Sequence, residues 1–317
     1  MKGESSLWNS KVRLRRFLNQ SMRPGWIALN LLLFTTVSAQ DWSFTPHAVQ
    51  GKVHMLEPVN TFGNVGVFAG DDGVLIIDSH FQPAVGELLN QVAKISTAEV
   101  RFLVNTHVHP DHIGGNGLLA DYGVTVVAHN SVRLAMLSEL RIPRRGGTFR
   151  PRPEANALPV LTYTDAISFH FNDEEVRIFH APPAHTGGDS FIHFTGSDVL
   201  HLGDVFRTRR YPIVDEFNGG SFLGMIEAME LAISLAGPNT KVIPGHGSGF
   251  SDRAGMEEYH QLLLTLKERV QLAIEQEQPL SKLLAAGLTH DLDVYWGDDA
   301  GWTAADLLPV IYGELSQ

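Results

Sequence analysis

The chain is 317 residues long, 44% apolar and 19% charged, with 15 histidines, no cysteine and a formal net charge of −11 at pH 7. Such a balance excludes a disordered polypeptide and fits one large domain or two ordinary ones. The acidity opposes any role in nucleic-acid binding, and the lack of cysteine excludes disulfides and thiolate chemistry.

Residues 1–39 differ from the rest. Lys11, Arg13, Arg15, Arg16 and Arg23 precede an apolar run of 12 residues at 26–37, which is followed by "SAQ". A basic stretch, a short apolar core and a small-x-small end predict a secretory signal peptide, cleaved between Ala39 and Gln40, and a periplasmic or secreted protein. The run falls short of the ~20 residues that span a bilayer. Its removal takes away six Lys/Arg and one Asp/Glu, leaving 18 basic against 34 acidic residues and a formal charge of −16.

The segment "VGVFAGDDGVLIIDSH" holds two β-rich runs joined at Asp72-Gly73, a hairpin pattern. Over 83–95, Val85, Leu88, Leu89 and Val92 fall on one face of a helix. "EVRFLVNT" is the next strand, "GVTVVAHN" another, and Ser131 opens a helix to about Leu140. Residues 141–156, "RIPRRGGTFRPRPEAN", place five arginines among proline and glycine. They predict an irregular loop, read first as solvated surface and second as a lid offering cations to an anionic substrate. Further strands are expected at 167–171, 175–180, 190–194 and 199–202, then a helix at 222–235 and a last short strand in "KVIPGHG". Helices at 256–277 and 280–286 close the chain. Strands in runs with interspersed helices predict an α+β domain over 40–317, sheets packed together and covered by helices.

The densest chemistry lies in "NTHVHPDHIGGN", residues 105–116. His107 and His109, two apart on an extended segment, point to the same side and can grip one ion. Asp111 and His112 follow Pro110, where the chain turns toward Gly114-Gly115, and can face a second ion. Imidazole with carboxylate suits zinc. Four ligands are too few for two ions. His185 in "PPAHTGGDS", Asp204 in "HLGDVF" and His246 in "IPGHGSG" lie near glycines where a strand meets a turn, and are the candidates for the remainder. His170, His180, His193 and His201 beside apolar residues are read as structural, as are His80 and His129.

The ordered set "HVHPDH", "AHTGGDS", "LHLGDVF" and "IPGHG" resembles the metallo-β-lactamase superfamily over roughly residues 50–250. The resemblance implies a four-layer αββα sandwich with the site at one edge of its two mixed sheets. It implies a three-histidine zinc site of His107, His109 and His185, and a second site of Asp111, His112 and His246. Asp204 is then the carboxylate bridging two Zn2+ ions, and Asp78, in "LIIDSH", braces the histidine loop.

Two adjacent zinc ions lower the pKa of a water toward ~7, which predicts metal-assisted hydrolysis; Asp111, itself a ligand, is the natural acceptor for the proton released. Related exported enzymes open β-lactams, lactones or thioesters. Family β-lactamases generally carry cysteine or serine in place of Asp204, a departure that disfavours β-lactam turnover here. Arg207 falls where many of them place a lysine for the substrate carboxylate, which implies a small, anionic substrate gripped by its guanidinium; Asn218 is a candidate oxyanion donor. The lactonase branch has tyrosine at the position of Arg207, and the diiron flavoproteins have glutamate at that of His109. A mononuclear iron dioxygenase using His107, His185 and Asp204, as in persulfide-oxidising relatives, is the alternative from another reaction class. A non-catalytic metal-binding protein is a third reading, but a structural zinc site needs only four ligands.

Overall fold

A computed structural model describes residues 41–60, 62–142, 148–150, 153–297 and 301–317. The expected signal peptide, 1–39, and parts of the arginine-rich segment lie outside them. Among the described residues no helix is long and apolar enough to cross a membrane.

The first sheet opens with β1 (Phe44–Gln50), β2 (Val53–Pro58), β3 (Val65–Gly70) and β4 (Gly73–Ile77), each antiparallel to the one before. Gly70 pairs with Gly73, so the hairpin turn is Asp71-Asp72, one residue earlier than the sequence suggests. After α1 (Val85–Ile95), β5 (Val100–Asn105) joins parallel to β4. Two short helices follow, α2 (Pro110–Ile113) and α3 (Asn116–Asp121), and then β6 (Thr125–His129), again parallel.

Helix α4 (Asn130–Ala135) stops well before the expected Leu140. Ser138 Oγ donates to the Ala135 carbonyl, closing the last turn. Leu140 then opens β7 (Leu140–Ile142), which pairs with β8 (Thr148–Arg150) as a two-stranded arm, so the arginine-rich segment is not irregular throughout. The arm forms because Leu140 and Ile142 alternate inward onto Val108, Val132 and Met136. β9 (Leu161–Tyr163) completes the sheet, in the order β1-β2-β3-β4-β5-β6-β9.

The second sheet contains β10 (Ala166–Phe171), β11 (Glu174–His180), β12 (Ser190–Phe194), β13 (Val199–His201), β14 (Lys241–Ile243) and β15 (Ser251–Asp252), in that order. It is antiparallel except where β14 pairs parallel to β13. Helix α5 (Phe222–Leu235) lies between those two strands in sequence. Helices α6 (Arg253–Glu275), α7 (Leu280–Ala285), α8 (His290–Trp296) and α9 (Ala304–Leu315) follow. The last two were not expected.

Alternation along the strands builds the layers. In β4, Leu75 and Ile77 face the second sheet and meet Ile178, Ile192 and Phe194, while Val74 and Ile76 face outward onto Val85, Leu88 and Val92 of α1. On the far side, Phe191, Leu200 and Val242 pack under α5, α6 and α9. The order helix, sheet, sheet, helix is the αββα sandwich anticipated from the sequence.

Candidate metal centre

All seven expected ligands meet at the strand ends. His107, His109, Asp111 and His112 follow β5 and enter α2; His185 follows β11; Asp204 lies in the 3-10 turn after β13; His246 follows β14. Two groups of side chains could each hold an ion, with ligand atoms within 4.8 Å of one another: His107, His109, His185 and Asp204, and Asp111, His112 and His246. Asp204 reaches both. One carboxylate oxygen lies 3.3 Å from His112 Nε2, and the other 3.6 Å from His185 Nε2 and 3.1 Å from His246 Nε2. Glycine at 245 is required for this approach, because a Cβ there would run into Asp204 Oδ1 and the Gly203 backbone.

Four of the histidine rings are oriented from behind. His109 Nε2 donates to Asp215 Oδ2 at 2.7 Å, and His185 Nδ1 to the Ile213 carbonyl at 2.7 Å. His112 Nδ1 donates to Asp78 Oδ2 at 2.7 Å. Thr106 Oγ1 donates to the same carboxylate and accepts from His107 Nδ1 at 3.0 Å. Each outer nitrogen therefore carries the proton, and each inner nitrogen presents a lone pair to the centre.

Those inner atoms lack the partners that burial demands. His107 Nε2, His112 Nε2 and Asp204 Oδ1 are buried without a hydrogen bond. The 3.3 Å approach of the last two is out of hydrogen-bond alignment. His109 Nδ1 and His185 Nε2 stand 2.9 Å apart, two acceptors face to face that a cation or a shared proton must reconcile. The donor set fits metal.

Electrostatics agree. Burial, reinforced by neighbouring histidines, pushes the His107 imidazole well below its usual pKa and His185 down to about 3. Burial pulls Asp111 and Asp204 upward, but His112 and His246 outweigh it and hold both well below the ordinary carboxylate range. Neutral nitrogens at His107 and His185 beside ionised carboxylates are the protonation states that ligate divalent cations. At His112 and His246 burial lowers the imidazole, but Asp204 and Asp111 outweigh it and raise both, and these rings would give up their protons to a metal.

Asp78 sits where the sequence reading placed it, behind the histidine loop. Two expectations fail. Arg207 is fully buried and donates to the Tyr211 carbonyl at 2.8 Å, because the chain pairs it beside His246 and directs its side chain inward. Asn218 spends both amide hydrogens, on the Arg141 carbonyl at 3.0 Å and on Asp215 Oδ2 at 2.5 Å, leaving none for an oxyanion. The six histidines read as structural stay outside both ligand groups. His129 accepts from the Ser131 amide and stacks on His180, with ring centroids 3.9 Å apart.

Asp215 was missed. It is fully buried, orients His109, and its amide donates to the His185 carbonyl at 2.8 Å. In sequence it is one acidic residue after "YPIV", with nothing to mark it. Asp215→Ala is expected to weaken metal affinity about 10- to 100-fold while the fold survives, as competition with a chromogenic chelator and circular dichroism would measure.

The family model of the metallo-beta-lactamase superfamily matches residues 59–269. Among solved structures, a metallo-beta-lactamase from Pontibacter korlensis superposes with a TM-score of 0.58 at 16% identity, covering 70% of this chain and 99% of that one. The DIM-1 metallo-beta-lactamase gives 0.56 at 17% identity, over 70% of this chain and 98% of its own. TMB-1 gives 0.54 at 15%, over 70% and 97%. At these identities the superpositions speak for the fold.

Proposed function

The chain belongs to the metallo-β-lactamase superfamily, and from that premise we propose that it is an exported dinuclear zinc hydrolase. Its substrate is small and anionic, and the bond cleaved is a carbonyl ester- or amide-type bond of a lactone, thioester or β-lactam. Membership and the His/Asp cluster together support a metal-dependent hydrolase. The observation that carries the finer reading is Asp204, one carboxylate shared between two otherwise complete ligand groups.

His107, His109 and His185 would hold one zinc, Asp111, His112 and His246 the other, with Asp204 between. Bound there, the pair supplies Lewis acidity and a water acidic enough to serve as nucleophile near neutral pH. The chain's own groups do the rest. Asp111, with 15% of its side chain exposed and Oδ2 held 3.3 Å from His246 Nε2, stays ionised and takes the nucleophile's proton. Asp78 and Asp215 fix the rings of His112 and His109, so the site is set before substrate arrives.

Metal analysis of the purified protein separates this reading from an iron dioxygenase. Two zinc per chain support it; one iron per chain overturns it. On a panel of lactones, thioesters and β-lactams, turnover is expected to vanish on chelation and return with zinc. A panel without any turnover by zinc-loaded protein would sink the hydrolase.

A further inference from the structure

Burial of Arg207 leaves open which group receives the negative charge of the substrate. On a chain of net charge −11, an anion approaches only where a local cation overrides the field. Among the described cations on segments bordering the centre, Arg207 and Arg210 are buried, Arg133 donates to the Pro159 carbonyl at 2.6 Å, and the exposed Arg209 lies over the Tyr295 ring of α8, 5.5 Å from its centroid. Arg141 is exposed and makes no ion pair among the described residues. Its guanidinium carbon lies 3.4 Å from the centroid of Phe217, a ring that is itself 51% exposed.

Its placement is not that of an ordinary surface arginine. Leu140 and Ile142 on either side are buried against Val108, the residue between His107 and His109. The Arg141 carbonyl accepts from Asn218, Asn218 donates to Asp215, and Asp215 accepts from His109. Two bridging side chains thus tie the Arg141 backbone to a metal-site histidine. Stacking on Phe217 engages the face of the guanidinium and leaves its in-plane N–H edge free to take a carboxylate in bidentate fashion.

We propose that Arg141, braced by Phe217, is the specificity residue that binds the carboxylate of an anionic substrate at the rim of the centre. The inference rests on the hydrolase reading and deepens it by naming the group recognised.

The test compares the S-phenyl thioester of glutarate, which keeps a free distal carboxylate, with its methyl ester. Arg141→Ala is expected to lower the acid-to-ester ratio of kcat/KM about tenfold, through KM, with Arg141→Lys recovering part of it. Phe217→Leu should lower the ratio in the same direction. A ratio that falls less than threefold in Arg141→Ala overturns the proposal. Calorimetric titration with glutarate and monomethyl glutarate, on the wild type and Arg141→Ala, reads the same preference without turnover. If the wild type cleaves neither thioester, the hydrolase reading suffers, and the calorimetric ratio still decides Arg141.

Discussion

On the proposed dinuclear zinc reading, Asp204→Ala is expected to reduce bound zinc from two ions per chain to one or none and to lower turnover about 10³-fold or more, the several kcal/mol that metal polarisation supplies to a transition state. Removing this side chain differs from removing any one histidine. Its oxygens lie 3.1 to 3.6 Å from ligand nitrogens of three histidines drawn from both groups. The variant also leaves His107, His109, His112, His185 and His246 converging with Asp111 as the only carboxylate among them. Metal content by plasma emission and kcat on the best substrate of the panel are the measurements. Two zinc retained with full turnover would remove Asp204 from the centre altogether.

The second large effect concerns acid. His80 is fully buried among Trp42, Phe44, Phe62 and Phe81, whose rings meet it edge-on at centroid distances of 5.3 to 6.0 Å. Burial depresses its pKa from 6.5 to about 4. A depressed histidine binds its proton more tightly unfolded than folded, so its contribution is present above pH 6.5 and lost as pH falls toward 4. Buried His201, also lowered to about 4, acts in the same direction. Asp189 opposes both. Burial raises its carboxyl to about 7, so the stability it contributes is present below pH 3.8 and lost as pH rises through 7. A variant isolates the contribution of His80: between pH 7 and 4, His80→Leu should lose about 3 kcal/mol less unfolding free energy than the wild type. Urea denaturation at the two pH values measures it. Equal losses in the two proteins would show that His80 does not titrate on unfolding.

The candidate ligands, which the structure brings together, were legible in the sequence because metal chemistry restricts both residue type and spacing. His107 and His109 need the two-residue period of an extended segment, and glycines lie near His185, Asp204 and His246. The sheets were legible from alternation, and β12 and α5 have the bounds expected of them. What escaped depends on tertiary context. Arg207 carries the same charge exposed or buried, and only the packing against Tyr211 decides which. Asp215 matters because Ile213 and the residues after it wrap behind two histidines from distant segments, a relation no local pattern records. Helix α9 contains Pro309, a residue that ordinarily ends a helix, and its Thr303–Asp306 capping box is a weaker mark than the proline.

Neither ligand group is drawn from one sheet alone. Each takes two side chains that follow β5, in the first sheet, and completes itself from segments that follow strands of the second. An ion here is therefore a rivet through two separately hydrogen-bonded plates, and its hole exists only when the plates are aligned. A metal bound there would require the two plates to be aligned first, and its affinity would add to their cohesion.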